Sequence, residues 1–168
     1  MRLVRPDIGW IKALGDYRDE FLVRGETPYG SAGLKTAQSI SDWLAERGRN
    51  ADAATADAGV LPSVTYLAIE EGRFVGMLTI RLELDEYLLT YSGHIGYSVR
   101  PGERRRGYAT RMLEMALDIC RARGMERVLM TCDEDNPASE RVIQRCGGVK
   151  ENEVLDGSTM VRRYWIEL

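Results

Sequence analysis

The run "HIGYSVRPGERRRGYATRMLEMALDICRARGMERVLMTC", residues 94–132, constrains the fold more than any other stretch. Residues 94–99 are β-rich, and Pro101 ends them. Ala109, Met112, Leu113, Ala116, Leu117 and Cys120 then recur at helical spacing, which predicts one buried stripe on a helix over 109–123 that Gly124 stops. "RVLMTC" (127–132) is β-rich again. Strand, helix and strand within so short a span predict a right-handed crossover between two parallel strands.

The flanking chain fits one mixed domain. "MRLVRP" reads as a short strand. Asp7 is placed to cap a helix over about 7–24, and a second helix is expected over 34–47, with Gly48 as its stop. "RNADAATADAGVLP" (49–62) is low in complexity and reads as a surface loop. "SVTYLAIEEGRFVGMLTIRLEL" (63–84) reads as a hairpin about the turn "EEGR". In "DNPASERVIQRCGG", Asn136 suits an N-cap, Pro137 the first helical position and Gly147 a C-cap. "MVRRYWIEL" closes the chain as a strand, and a further strand fits near 149–155. The expected class is α/β (α+β): a mixed central sheet of six to seven strands and about four helices, in the order β-α-α-β-β-β-α-β-α-β. Residues 1–168 form a single domain, with no internal repeat or linker.

Net charge is −3, which argues against overall attraction to nucleic acid or to an anionic membrane. All but three (Lys12, Lys35, Lys150) of the 23 basic residues are arginine. An arginine triplet is therefore weak evidence in itself. Cys120, Cys132 and Cys146 are odd in number and far apart, which suits reduced thiols. No paired metal-ligand spacing accompanies the single histidine, His94. No apolar run follows the N-terminal charges and none approaches the ~20 residues of a membrane span, so the expected location is cytoplasmic, with no membrane partner.

A local anion site is nevertheless expected where the strand at 94–99 meets the helix at 109–123. Ligands of such sheets bind beyond the carboxyl ends of strands, where a helix N-terminus offers unpaired N–H groups and a positive dipole. Gly107 lets backbone come close to an anion, Ala109 keeps the next turn small, and Arg104, Arg105 and Arg106 add charge. Gly102 and Gly107 have Walker spacing, but Tyr108 and Ala109 stand where Lys and Ser/Thr are required, and no GxGxxG occurs. A diphosphate site without a metal remains.

The hexapeptide Arg104-Arg105-Arg106-Gly107-Tyr108-Ala109 resembles the R/Q-x-x-G-x-G/A acyl-CoA loop of the GNAT (GCN5-related) N-acetyltransferases. Val99-Arg100-Pro101 precedes it, and a buried helix, a strand and an Asn-headed helix ending "CGG" follow, as in that family. "GHIGYSVRPGERRRGYAT" with "TCDEDNPASERVIQRCGG" is similar to a bacterial subgroup of predicted acetyltransferases. The resemblance implies acetyl-CoA as cosubstrate. Tyr97, Ser98 and Val99 would pair their backbone with the pantetheine arm, as an added strand does. Amides of Arg104, Arg105, Arg106, Gly107, Tyr108, Ala109 and Thr110 would hold the pyrophosphate, and one arginine would reach the 3′-phosphate. Asn136 and Ser139 would touch the arm from the other side. For Asn136 a capping role and a ligand contact are compatible.

The implied reaction is acyl transfer to a primary amine, of a small molecule or a peptide, by direct attack on the thioester. An N–H near residues 97–99 would polarise the carbonyl. Deprotonating a lysine-like amine of pKa ~10.4 at pH 7 costs about 4.6 kcal/mol, and an α-amine of ~7.8 about 1 kcal/mol, so the need for a base depends on the acceptor. Glu83, Asp85, Glu86 and His94 are candidate bases, Glu83 foremost. The family's tyrosine acid, seven residues after the helix-opening Asn, is Ile143 here, and Gly148 replaces a common aromatic. Tyr97, Cys132 or water would have to serve as the acid. A non-catalytic acyl-CoA sensor is the alternative, and a basic nucleic-acid patch a distant third. A monomer and a homodimer are both compatible with the sequence.

Overall fold

A computed structural model describes all 168 residues. It contains seven strands and four principal helices: β1 (Arg2–Val4), α1 (Ile11–Val23), α2 (Ile40–Arg49), β2 (Ser63–Glu70), β3 (Arg73–Arg81), β4 (Ile95–Val99), α3 (Tyr108–Ala122), β5 (Arg127–Asp133), α4 (Pro137–Arg145), β6 (Val149–Asp156) and β7 (Thr159–Glu167). The strands do not form one central sheet. They form a four-stranded sheet, β1-β2-β3-β4, and a three-stranded sheet, β5-β7-β6, and every ladder in both is antiparallel.

Local chemistry explains most of the elements. Asp7 accepts from the N–H of Gly9 at 2.9 Å, opening a short 3-10 turn that leads into α1. The helix expected over 34–47 is divided. A 3-10 turn covers Leu34–Thr36, and α2 starts only after Ser39, whose hydroxyl accepts from the N–H of Asp42. Ser39 is the stronger N-cap because its side chain reaches back into the first turn. Gly48 lies inside α2, which ends one residue later. The β2–β3 turn is a two-residue turn with positive φ at Glu71 (49°) and Gly72 (78°), the twist that suits a hairpin. β3 ends at Arg81. Residues 86–92, to which the sequence assigned no element, then coil into helix, with a π-helical turn at Leu88–Ser92.

The four-stranded sheet has a core on each face. Leu14, Tyr17, Phe21, Leu34 and Trp43 of the α1/α2 side pack on Leu67, Ile69, Phe74 and Met77. Met112, Leu113, Ala116 and Leu117 of α3 pack on Val75, Leu78, Ile80 and Ile95. That core continues into the second sheet through Val128, Met130, Ile143 and Tyr164. Tyr108 rather than Ala109 begins the buried stripe of α3. No helix is long and apolar enough to cross a membrane.

Candidate active site

The two sheets meet at one point. The backbone N–H of His94 donates to the Leu129 carbonyl at 2.8 Å, the Leu129 N–H donates to His94 Nδ1 at 2.9 Å, and Gly93 bridges Met130. Farther along both strands, Tyr29 touches each of them. Its carbonyl accepts from Ser98 Oγ at 2.5 Å, and its hydroxyl donates to Asp133 Oδ2 at 2.7 Å. The bridge at Gly93 and Met130, just before β4 begins, is antiparallel, and beyond it β4 and β5 diverge. Direct hydrogen bonding at one end gives way to the length of a tyrosine side chain at the other. No ladder joins them.

Register fixes which backbone groups face this split. The N–H of Arg81 bonds to the carbonyl of His94, and that of Arg100 to Val75, so hydrogen-bonded pairing alternates and Gly96 and Ser98 point toward β3. Tyr97 and Val99 turn their N–H and C=O outward. Ser98 is thus not an edge residue for an added strand. Its hydroxyl instead holds Tyr29 and pairs with Tyr17 Oη at 2.8 Å. Across the split, Leu168 pairs with Glu126 and Glu134 with Met160, which leaves the backbone of Leu129, Thr131 and Asp133 facing β4. Two half-bare strand edges confront each other, a slot for one extended chain.

On the α3/α4 face of the slot, Tyr97 Oη lies 2.9 Å from Ser139 Oγ. These two expected site residues come from β4 and α4, 42 positions apart, and they are brought together. Burial pushes the Tyr97 phenol well above its ordinary range, so it stays protonated. Asn136 Oδ1 accepts from the Ser139 N–H at 3.1 Å, which is the capping role, and leaves its amide N–H groups available. Ile143 is fully buried in the core, and a Cβ at Gly148 would lie 2.4 Å from Ile143 Cγ2. The isoleucine thus occupies the space that an aromatic at 148 would need. Cys132 is buried, its thiol pushed up to about 11 chiefly by that burial.

The loop before α3 holds Gly107 at φ 76°, ψ 4°, with nothing within 4 Å of where a Cβ would stand. Arg105 is also left-handed, at φ 65°. α3 has no side-chain cap, so no side chain satisfies its first N–H groups. The arginine triplet is not a uniform patch. Arg104 pairs with Glu26, stacks on Phe21 and places Nε 3.3 Å from the outward carbonyl of Val99. Its guanidinium holds the Glu26 carboxyl below its usual range. Arg106 pairs with Glu103 at 2.9 Å. Arg105 has no acidic partner and is the free charge of the three.

Other candidates lie elsewhere. His94 is the clamp of the closed end; burial lowers its pKa, and Nδ1 is spent accepting from Leu129. Glu83 is exposed, beyond the end of β3 and five positions past Leu78, the residue opposite Tyr97. It is not gathered with Tyr97 and Ser139. Asp85 Oδ1 accepts from the Leu88 N–H and caps the 86–92 helix. The Tyr29–Asp133 pair escaped sequence reasoning because its members are 104 residues apart. No cluster of three or more His, Cys, Asp or Glu side chains is placed to hold a metal ion.

The candidate site is thus a split between two half-bare strand edges, beside an uncapped helix N-terminus and a left-handed glycine. The model of the Acetyltransferase (GNAT) family matches residues 29–148, most of the chain, and the chain belongs to that family. Solved structures share the fold. A Vibrio cholerae SpeG spermidine N-acetyltransferase chimera with hSSAT has 12% identity and a TM-score of 0.70, covering 99% of this chain and 94% of that one. Mycobacterium smegmatis RimJ in complex with CoA-disulfide has 22% identity and 0.69, covering 98% and 80%. The Microcin C7 self-immunity acetyltransferase MccE in complex with acetyl-CoA and AMP has 16% and 0.69, covering 99% and 91%. No curated protein sequence matches significantly.

Proposed function

We propose that this protein is an acetyl-CoA-dependent N-acetyltransferase that passes the acetyl group directly to a primary amine. The observation that carries the reading is the slot between β4 and β5. Its outward groups on Tyr97 and Val99 suit the amides of a pantetheine arm, and β4 leads in sequence to the uncapped start of α3, with the amides of Gly107, Tyr108, Ala109 and Thr110. Those amides would hold the pyrophosphate, Arg105 the 3′-phosphate, and Asn136 and Ser139 the arm from the α4 side. Arg104 serves in another way, tying this loop to Glu26.

In the transfer, the amine nitrogen forms a bond to the acyl carbon and the carbon–sulfur bond breaks. An outward N–H of Tyr97 or Val99 would stabilise the charge on the carbonyl oxygen. Tyr97 supplies a hydrogen bond to the departing sulfur. A buried phenol is a weaker acid than a thiol of pKa ~8.5, so this is stabilisation rather than full proton transfer. The proton shed by nitrogen equals in number the one the thiolate gains from solvent.

Burial of Ile143 at the usual acid position favours one second reading, a CoA sensor without turnover. Free thiol measured from acetyl-CoA with spermidine, a lysine-containing peptide and a peptide with a free α-amine separates the two. Turnover with any of them supports the enzyme. CoA binding with no turnover on all three supports the sensor. Arg105→Glu should raise the KM for acetyl-CoA about tenfold by reversing a charge beside a phosphate, and an unchanged KM would remove Arg105 from the site.

A further inference from the structure

The groups assigned to coenzyme A lie on the α3/α4 face of the slot, so the amine must arrive from the opposite face. Side chains alternate along β5. Val128, Met130 and Cys132 point into the α3/α4 core, and Leu129, Thr131 and Asp133 point the other way. Of these, Asp133 alone carries a charge, and it stands at the open end of the split. Glu26, three residues before Tyr29, is paired with Arg104, and Asp135 is the other carboxylate whose charge reaches the Tyr29 phenol.

Asp133 is held there by construction. Tyr29 Oη donates to its Oδ2, and Tyr29 is fixed in turn by Ser98 Oγ on its carbonyl. Tyr17, fully buried, anchors Ser98. The next residue, Gly30, lies so close over β4 that a Cβ there would fall 2.2 Å from the Gly96 carbonyl oxygen, and its own carbonyl accepts from Thr79 Oγ1 at 2.8 Å. This chain of contacts fixes one Asp133 oxygen and leaves the other without a hydrogen-bond partner in the protein.

We infer that Asp133 is the acceptor-side catalytic carboxylate and that Tyr29 is its positioning residue. The inference rests on the acetyltransferase reading. The free Asp133 oxygen accepts a hydrogen bond from the amine nitrogen as it enters. When the C–N bond forms, nitrogen becomes strongly acidic and its surplus proton passes to the carboxylate. The C–S bond breaks, the thiolate leaves hydrogen-bonded to Tyr97, and Asp133 returns its proton to solvent. Glu83, beyond the closed end of the split, has no part in this step. A carboxylate at this mouth also attracts amines that arrive as cations; such an amine gives one proton to solvent before its lone pair attacks, and the second, shed after the C–N bond forms, is the one Asp133 takes.

The test uses the full chain with acetyl-CoA and the three amines named above. Asp133→Asn keeps an acceptor for Tyr29 but removes the base, and kcat should fall about a hundredfold with the Kd for CoA unchanged. Tyr29→Phe should instead raise the amine KM roughly tenfold, with a smaller change in kcat. Wild-type turnover with Asp133→Asn within threefold of it overturns the inference alone, as does loss of CoA binding in Asp133→Asn, which would make Asp133 structural. Wild-type CoA binding without turnover of any amine overturns the acetyltransferase reading beneath it.

Discussion

Replacing Gly107 by alanine separates a ligand site from a helix end. Gly107 and Gly124 flank the same helix, with φ of 76° and 79°, and neither has an atom within 4 Å of a prospective Cβ. Both substitutions therefore carry only the strain of a left-handed non-glycine residue, about 1–2 kcal/mol. For a domain of this size that lowers Tm by roughly 2–8 °C in each variant. They differ in what a methyl group would obstruct. At Gly124 the space is solvent. At Gly107 it is the approach to the first amides of α3, and losing one charge-assisted hydrogen bond of about 1.5–3 kcal/mol weakens CoA binding by roughly tenfold to a hundredfold. Thermal melts and calorimetric CoA titrations of both variants provide the measurement. Equal CoA Kd in Gly107→Ala and Gly124→Ala, whether both unchanged or both weakened, would refute the placement of the pyrophosphate.

Two other predictions follow from the clamps on either side of the split. Gly30→Ala combines positive φ with a Cβ 2.2 Å from backbone oxygen, so it should cost at least about 2 kcal/mol and lower Tm by several degrees; an unchanged Tm would mean that the 29–30 segment does not press on β4. His94 has a pKa lowered by burial, so the unfolded chain takes up its proton first. Its contribution to stability is complete above the ordinary value of about 6.5 and is lost as the pH falls below it. The Tm advantage of wild type over His94→Asn should shrink between about pH 7 and 5, and a gap that widens on acidification would contradict the neutral clamp.

The parts of this fold that depend on local chemistry were legible in the sequence. Asn136, Pro137 and Gly147 bracket α4 as caps should, and the stripe from Met112 to Cys120 faces the core. Residues 86–92 were left unassigned, and their helix is short, opened by the Asp85 side chain on the Leu88 N–H. The split itself is not local. It follows from β4 pairing with β3 and β5 with β7, and no window of sequence contains both. The arginines show the same limit. Three adjacent positive charges look equivalent in sequence, yet Glu26, 78 residues from Arg104, pairs with that one, while Arg105 has no acidic partner. Tyr97, Ser98 and Val99 look alike in sequence, but alternate residues of an antiparallel strand turn their backbone groups to opposite sides, so Ser98 faces β3 while its two neighbours face outward.

The most direct test of the account is mass-spectrometric detection of acetylated amine after incubation of the purified protein with acetyl-CoA and spermidine or the two peptides. The account predicts an amine carrying one added acetyl group, formed in proportion to released thiol and lost with excess CoA. Tight CoA binding with no acetylated product from any of them would contradict it.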